Sequence, residues 1–356
     1  MPGLEFGMQV APVAPGPDRE AYREVVEDSR LAADLGFEGV WLLEHHFSDY
    51  FPTPSPLLHM AHLAGHLPEI SLGTSVLVLP WYQPIRLAEE IAMLASMSEG
   101  RLHLGIGRGT ARSEYRAYGV DMNEARGRFA DCVALLRTAL AGAPFQHEGP
   151  FFQVPDPVRV RPEPAEDQVH FYGAIGSPAS AEIMADLGLP PFCLSQFPDH
   201  LLVKILERWQ ARRGDAAAGA RLPISIKMFI AETDAEAQEA ARTYMPGFFA
   251  LQADHYEVDA DPWSEIEDYA AFSRMFANLR KQADPANLDG FIALNLVGSA
   301  ATIRRRIEQL RAIGFTYFMV SSTIPGMPQA LRHEHYRRFA AEIMPHFTDS
   351  NAREVA

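Results

Sequence analysis

Short apolar runs alternate along this chain with longer stretches in which apolar residues recur every three or four positions. The first run, LEFGMQV (4–10), alternates in character and predicts a β-strand. A helix is expected from about Asp18, with Tyr22, Val25, Val26, Ala32 and Ala33 at helical spacing and Gly36 at its end. FEGVWLLEHH (37–46) predicts a strand buried on both faces, and the proline-rich FPTPSP (51–56) breaks the chain before a helix through about His66. The rhythm then repeats. Strands are expected at ISLGTSVLVLP (70–80), RLHLGIG (101–107), VHFYGAI (169–175), PPFCLS (190–195), PISIKMFIA (223–231) and TYFMVSS (316–322). Helices are expected at Pro84 to Met97, Asn123 to Ala141, Ser177 to Leu187, His200 to Arg213, from Ala235, at Ala301 to Ile313 and at Gln329 to Met344. Residues 145–162 read as an irregular hairpin.

Eight strands, each followed by a helix, imply a parallel sheet, and eight such units imply closure. The expected fold is α/β, a (β/α)8 TIM barrel in one domain over 1–356. The stretch at about 247–295, between the seventh and eighth strands, is too long for an ordinary connection. It holds Trp263, Tyr269, Phe272, Phe276 and Phe291, so an insertion that covers the C-terminal face of the barrel as an active-site lid is expected there.

Composition narrows the partners. Of the 356 residues, 47% are hydrophobic and 22% charged, which suits a large core. The net charge of −15, with no Lys/Arg cluster to offset it, argues against nucleic acid and anionic membrane surfaces as partners. Cys132 and Cys193 make no framework and no C-x-x-C pair. No basic-then-apolar leader and no run of about 18 apolar residues stand out, so a cytoplasmic protein is expected.

Three places carry candidate chemistry. Glu44, His45 and His46 sit at the end of the second strand, where adjacent side chains point to opposite sides. One histidine can face the barrel mouth as an acid/base, or both can be buried and hydrogen-bonded. No second His/carboxylate pair at useful spacing points to a metal. GIGRGT (105–110) ends the fourth strand; Gly107 lets backbone approach a ligand, and Arg108 is either a phosphate clamp or a solvated turn residue. GAIGSPASAEIM (173–184) brings Gly176, a Ser177 cap, Pro178 at the first helical position and Ser180 one turn on. Such a helix start holds a phosphate well, or is only a well-capped helix. Taken together, the three describe a phosphorylated cofactor beside a proton-transfer residue.

The chain resembles the bacterial luciferase-like flavin monooxygenases. The resemblance rests on GFEGVWLLEHHF (36–47), GTSVLVLPWYQPIRLAEEIAMLASMSEGRLHLGIGRG (73–109), YGVDMNEARGRF (118–129), ASAEIMADLGLP (179–190) and VGSAATIRRRIEQLRAIGF (297–315). It implies that reduced FMN, supplied by a separate flavin reductase, binds at the barrel mouth and reacts with O2 to a flavin hydroperoxide that oxygenates a small, largely apolar molecule such as an aldehyde or ketone. It assigns the phosphate to Arg108, Arg126, Ser177 and Ser180. It makes His45 the catalytic histidine, flanked by Glu44 and His46, and it places a non-prolyl cis peptide around Leu77 and Val78. It also implies a homodimer. Trp41, Phe47, Trp81, Tyr82 and Phe192 are candidates to line the substrate pocket. The luciferase subunit that emits light carries a reactive cysteine where this chain has Gly107, so oxygenation without light is expected. Two other readings share the resemblance: hydride transfer with a reduced deazaflavin, and a non-catalytic flavin-binding protein.

Overall fold

Each of the eight apolar runs forms a parallel strand in the computed structural model of the chain. The described residues are 3–348 apart from positions 14, 166, 271, 272, 274 and 275, so Phe272 lies outside them. The strands are β1 (Glu5–Val10), β2 (Gly39–Leu42), β3 (Ser71–Val78), β4 (Leu102–Gly107), β5 (Val169–Ala174), β6 (Pro191–Leu194), β7 (Pro223–Ile230) and β8 (Tyr317–Ser321). Neighbours in sequence pair around the ring, and Glu5 of β1 pairs with Tyr317 of β8, which closes an eight-stranded barrel. Residues 145–148 and 153–158 form the expected hairpin outside it.

Helices fill the crossovers: α1 (Asp18–Asp34), α2 (Pro56–Ala64), α3 (Pro84–Met97), α4 (Arg112–Tyr118), α5 (Ala125–Ala139), α6 (Pro178–Asp186), α7 (Asp199–Arg213) and α8 (Asp234–His255). After them come α9 (Leu279–Gln282), α10 (Asp289–Leu294), α11 (Ala300–Ile313) and α12 (Gln329–Glu342). Ser177 caps α6 by accepting from the Ser180 N–H, with Pro178 first in the helix, as expected. No described helix is long and apolar enough to cross a membrane.

Three elements differ from the sequence expectation. Helix α4 was not expected: it has seven residues, no side-chain cap, and ends on left-handed Gly119. Helix α8 continues through Pro246, so the start of the insertion moves from about 247 to beyond His255. A proline inside a helix forfeits a backbone hydrogen bond, but Met245, Phe248, Phe249 and Gln252 bury the same turns and hold them helical. Leu296–Gly298 adds a three-residue strand to β7, too short to show a period.

The barrel axis is filled by Trp41. Its indole stacks between His103 and Phe192, with ring centroids 5.7 and 6.0 Å away, and its Nε1 donates to the Tyr317 hydroxyl at 2.8 Å. Only glycines leave it room: a Cβ on Gly73 would fall 2.5 Å from the indole, and one on Gly7 2.7 Å from its Nε1. Below Trp41, Glu38 accepts from His103 at 3.0 Å and from Tyr317 at 2.8 Å, with Arg221 3.6 Å away. Burial alone would raise the Glu38 carboxyl, but His103, Arg221 and Tyr317 bring it down to about 2.

Candidate active site

The strand ends on the other side of Trp41 surround a cavity of about 230 Å³, in the place where barrel enzymes carry their chemistry. Of the residues expected in the site, Glu44, His45, Val78, Gly107, Arg108, Gly176 and Ser180 line it. His46, Leu77, Arg126 and Ser177 do not.

The second strand ends at Leu42, short of the expected His46, so the two histidines lie beyond it; they face apart, and His45 forms an isolated bridge with Thr53. Glu44 accepts from the Val78 N–H and the Trp81 indole, each at 3.0 Å, and lies 3.1 Å from His46 Nε2. His46 is bridged on its other nitrogen to the Tyr118 hydroxyl at 2.9 Å, so it is tied to α4. His45 turns into the cavity. Its ring lies 4.7 Å from Tyr50 and 4.9 Å from His255, centroid to centroid. Burial, with His255 and His46 adding to it, pushes the His45 imidazole well below its ordinary value, so it is neutral at neutral pH.

Leu77 points into the hydrophobic core rather than the cavity. The non-prolyl cis bond joins Ser75 and Val76, ahead of the expected place at Leu77 and Val78. The register with β4 shifts between Ser75 and Leu77, and that shift turns Leu77 outward and leaves Val78 on the cavity wall. Gly107 keeps the wall open: a Cβ there would come within 2.7 Å of Val76 Cγ2. Ser177 stays outside the lining but touches Ser180, hydroxyl to hydroxyl, at 3.1 Å. The Arg108 guanidinium lies over the Tyr269 ring, 4.7 Å from its centroid. Arg126 is half-buried in the first turn of α5.

Of the aromatic candidates only Phe192 lines the cavity. Trp41 lies beneath it, Phe47 is 70% exposed, Trp81 packs on Tyr115 and Tyr118, and Tyr82 packs on the core. Tyr256, Tyr269 and Phe276, from the segment after α8, line it instead. That segment is fastened across the mouth where Trp263 Nε1 donates to the Thr110 carbonyl at 2.8 Å.

Sequence spacing could not find Glu114, His255 or Lys227. His45, Glu114 and His255 bring ligand-type atoms within 4.8 Å of one another from three distant segments. Glu114 accepts from the His46 N–H at 2.7 Å, and His255 is held by Ser48 at 2.7 Å. Burial raises the Glu114 carboxyl, the His46 N–H opposes it, and the result is about 7. A carboxyl raised this way stabilises the fold when protonated, and that contribution fades as pH climbs from about 4.5 through about 7. Glu114→Gln should therefore gain about 3 kcal/mol on wild type between about pH 5 and pH 8 in urea unfolding. Parallel pH curves would show that Glu114 is not the titrating group. Lys227 is half-buried at the cavity wall, and its loss of solvent lowers its amine to about 7.

The family model described as luciferase-like monooxygenase matches residues 4–317. The oxygenase component of a flavin-dependent trigonelline monooxygenase from Acinetobacter baylyi is 25% identical over 348 residues, 93% of this chain and 91% of that one. The chain spans only about a third of the length of two other curated relatives it matches, 38% and 33%. Among solved structures, the monooxygenase RslO1 from Streptomyces bottropensis superposes with a TM-score of 0.82 at 24% identity, over 97% of this chain and 100% of that one. An F420-dependent secondary alcohol dehydrogenase in complex with an F420-acetone adduct does so with a TM-score of 0.73 at 16% identity, over 98% and 100%. These two likenesses show the fold.

Proposed function

The chain belongs to the luciferase-like monooxygenase family, and on that footing we propose that it uses reduced FMN and O2 to oxygenate a small, largely apolar organic molecule such as an aldehyde or ketone. The observation that carries this reading is the cavity in which Gly176, Ser180 and Arg108 meet His45. Bound reduced FMN supplies the electrons that activate oxygen. The residues present fit its phosphate: the start of α6 offers backbone N–H groups, the Ser177–Ser180 pair offers hydroxyls, and Arg108 offers a planar cation. Arg126 is a further candidate, from the first turn of α5. Gly107 leaves room for a flat ring system against the wall. His45 holds a proton at the reacting atoms, and Tyr256, Tyr269 and Phe276 act as a lid that keeps water out. A separate flavin reductase supplies the reduced cofactor, a view supported by a relative that is itself an oxygenase component.

The test is oxygen uptake by the protein with reduced FMN and candidate aldehydes or ketones, using isotopically labelled O2. Substrate-dependent uptake with label in the product is expected. Substrate oxidation without uptake would favour the deazaflavin reading, and the absence of any turnover would favour a non-catalytic flavin-binding protein. The phosphate cradle has its own test. Arg108→Ala should weaken FMN binding about tenfold or more while leaving riboflavin, which lacks the phosphate, nearly unchanged. Equal losses for both would place Arg108 elsewhere than on the phosphate.

A homodimer through α2 and α3 is part of the same reading. Leu58 on α2 and Met93 and Met97 on α3 are 73%, 57% and 46% exposed, an apolar surface that a second copy would cover. Light scattering should return twice the chain mass of 39.5 kDa.

A further inference from the structure

Lys227 is the feature of the cavity that an apolar substrate leaves unexplained. It lies on β7 and lines the cavity. Its Nζ donates to Gln9 Oε1 at 3.3 Å and to Ser321 Oγ at 3.2 Å, and it lies 5.6 and 5.0 Å from the Phe51 and Phe248 ring centroids. Both acceptors are neutral, and no carboxylate among the described residues pairs with it. An ammonium group has three donors; two are used here, and Lys227 lines the cavity. The surroundings are fixed. Gln9 Nε2 donates to Ser75 Oγ at 3.1 Å, which turns the amide oxygen toward the lysine, and the Lys227 N–H donates to Asn295 at 3.0 Å. A half-buried cation with no counter-ion among the described residues is costly to place beside two aromatic rings.

We infer that Lys227 is a recognition site for an anionic group on the substrate: the cavity takes a small, otherwise apolar molecule that carries a carboxylate, and that carboxylate completes the contacts of Nζ. This rests on the reading of the cavity as the substrate site and narrows the substrate class within it. The carboxylate anchors one end of the molecule at Lys227 and leaves the apolar remainder against walls such as Phe192 and Leu194. Burial is what lowers the free amine to about 7, and no charged group enters its balance. The groups packed around it, Gln9, Asn295, Ser321, Phe51 and Phe248, are all uncharged. An anion beside the amine restores its charge.

The experiment compares benzoate with benzamide, a carboxylate and a neutral amide of nearly the same shape, by calorimetric titration of wild type and Lys227→Met with and without oxidised FMN. Benzoate should bind wild type at least about tenfold more tightly than benzamide, and Lys227→Met should erase the difference. FMN affinity, followed separately by flavin fluorescence, should be unchanged in the variant. A failure of FMN to bind would count against the flavin reading and leave the benzoate result standing. Equal binding of the two probes to wild type, no binding of either, a preference that survives in Lys227→Met, or a loss confined to FMN would each overturn the inference. Should the variant not fold, wild type alone still tests the inference, since equal affinity for benzoate and benzamide overturns it.

Discussion

His45→Ala should bind FMN about as well as wild type and turn over about two to four orders of magnitude more slowly, the usual worth of a positioned acid/base. The imidazole faces the cavity, packed against Tyr50 and His255, while its neighbour His46 is occupied by Glu44 and Tyr118. His46 is therefore not placed to take over. Because burial keeps His45 neutral, it has one N–H and one lone pair available across the neutral range, and its own titration lies below that range. Any step in the pH–rate profile near neutrality then belongs to another group. Glu114, with its carboxyl at about 7, and Lys227, with its amine at about 7, are the candidates; the part due to Glu114 should vanish in Glu114→Gln and persist in a slow but measurable His45→Ala. The measurement is steady-state turnover with reduced FMN and O2 beside a flavin fluorescence titration. Unchanged turnover in His45→Ala would remove His45 from the chemistry.

Trp41→Ala should destabilise the protein by about 3–5 kcal/mol. The side chain is fully buried and lies flat between His103 and Phe192. Removing it strips the packing from both rings and takes away the N–H that the Tyr317 hydroxyl accepts. The gap has little means of closing, because β1 and β3 are locked in a hydrogen-bonded ring and contribute glycines, Gly7 and Gly73, at this level. The barrel interior is a packed core in which cavities are costly. The effect should reach the cavity above, since Phe192 is both a neighbour of Trp41 and part of the cavity wall. Urea unfolding checks the first part and benzoate or FMN affinity the second. A loss below about 1 kcal/mol would mean that the interior repacks.

The barrel was legible because its strands are buried on both faces and its helices on one, so the two periods alternate cleanly. Helix α3 starts and stops where Pro84 and Met97 suggest, and the Ser177–Pro178 cap is read directly from its residue types. Illegible parts fall where tertiary packing outweighs local preference. Pro246 reads as a break, but the aromatic residues around it bury α8 through His255. The site was legible only where its residues lie within a few positions of one another, as Glu44–His46, Gly107–Arg108 and Gly176–Ser180 do. Glu114 and His255 reach His45 through folding alone. Lys227 left one trace that passed unread: in PISIKMFI the two polar positions, Ser225 and Lys227, share a parity, and both face the cavity.

Trp41 also decides traffic. With its indole wedged between His103 and Phe192, the barrel axis is shut on that side, and the way in runs past Tyr256, Tyr269 and Phe276. Among the described residues, the base that Trp41 fills offers no second way in. Whatever seats deepest must be loaded first and discharged last, so the order of arrival is set by depth rather than by relative affinity. A vestibule closed at its base also turns a tightly held second ligand into a cork for the first, and an excess of one reactant becomes a cause of inhibition without any additional binding site.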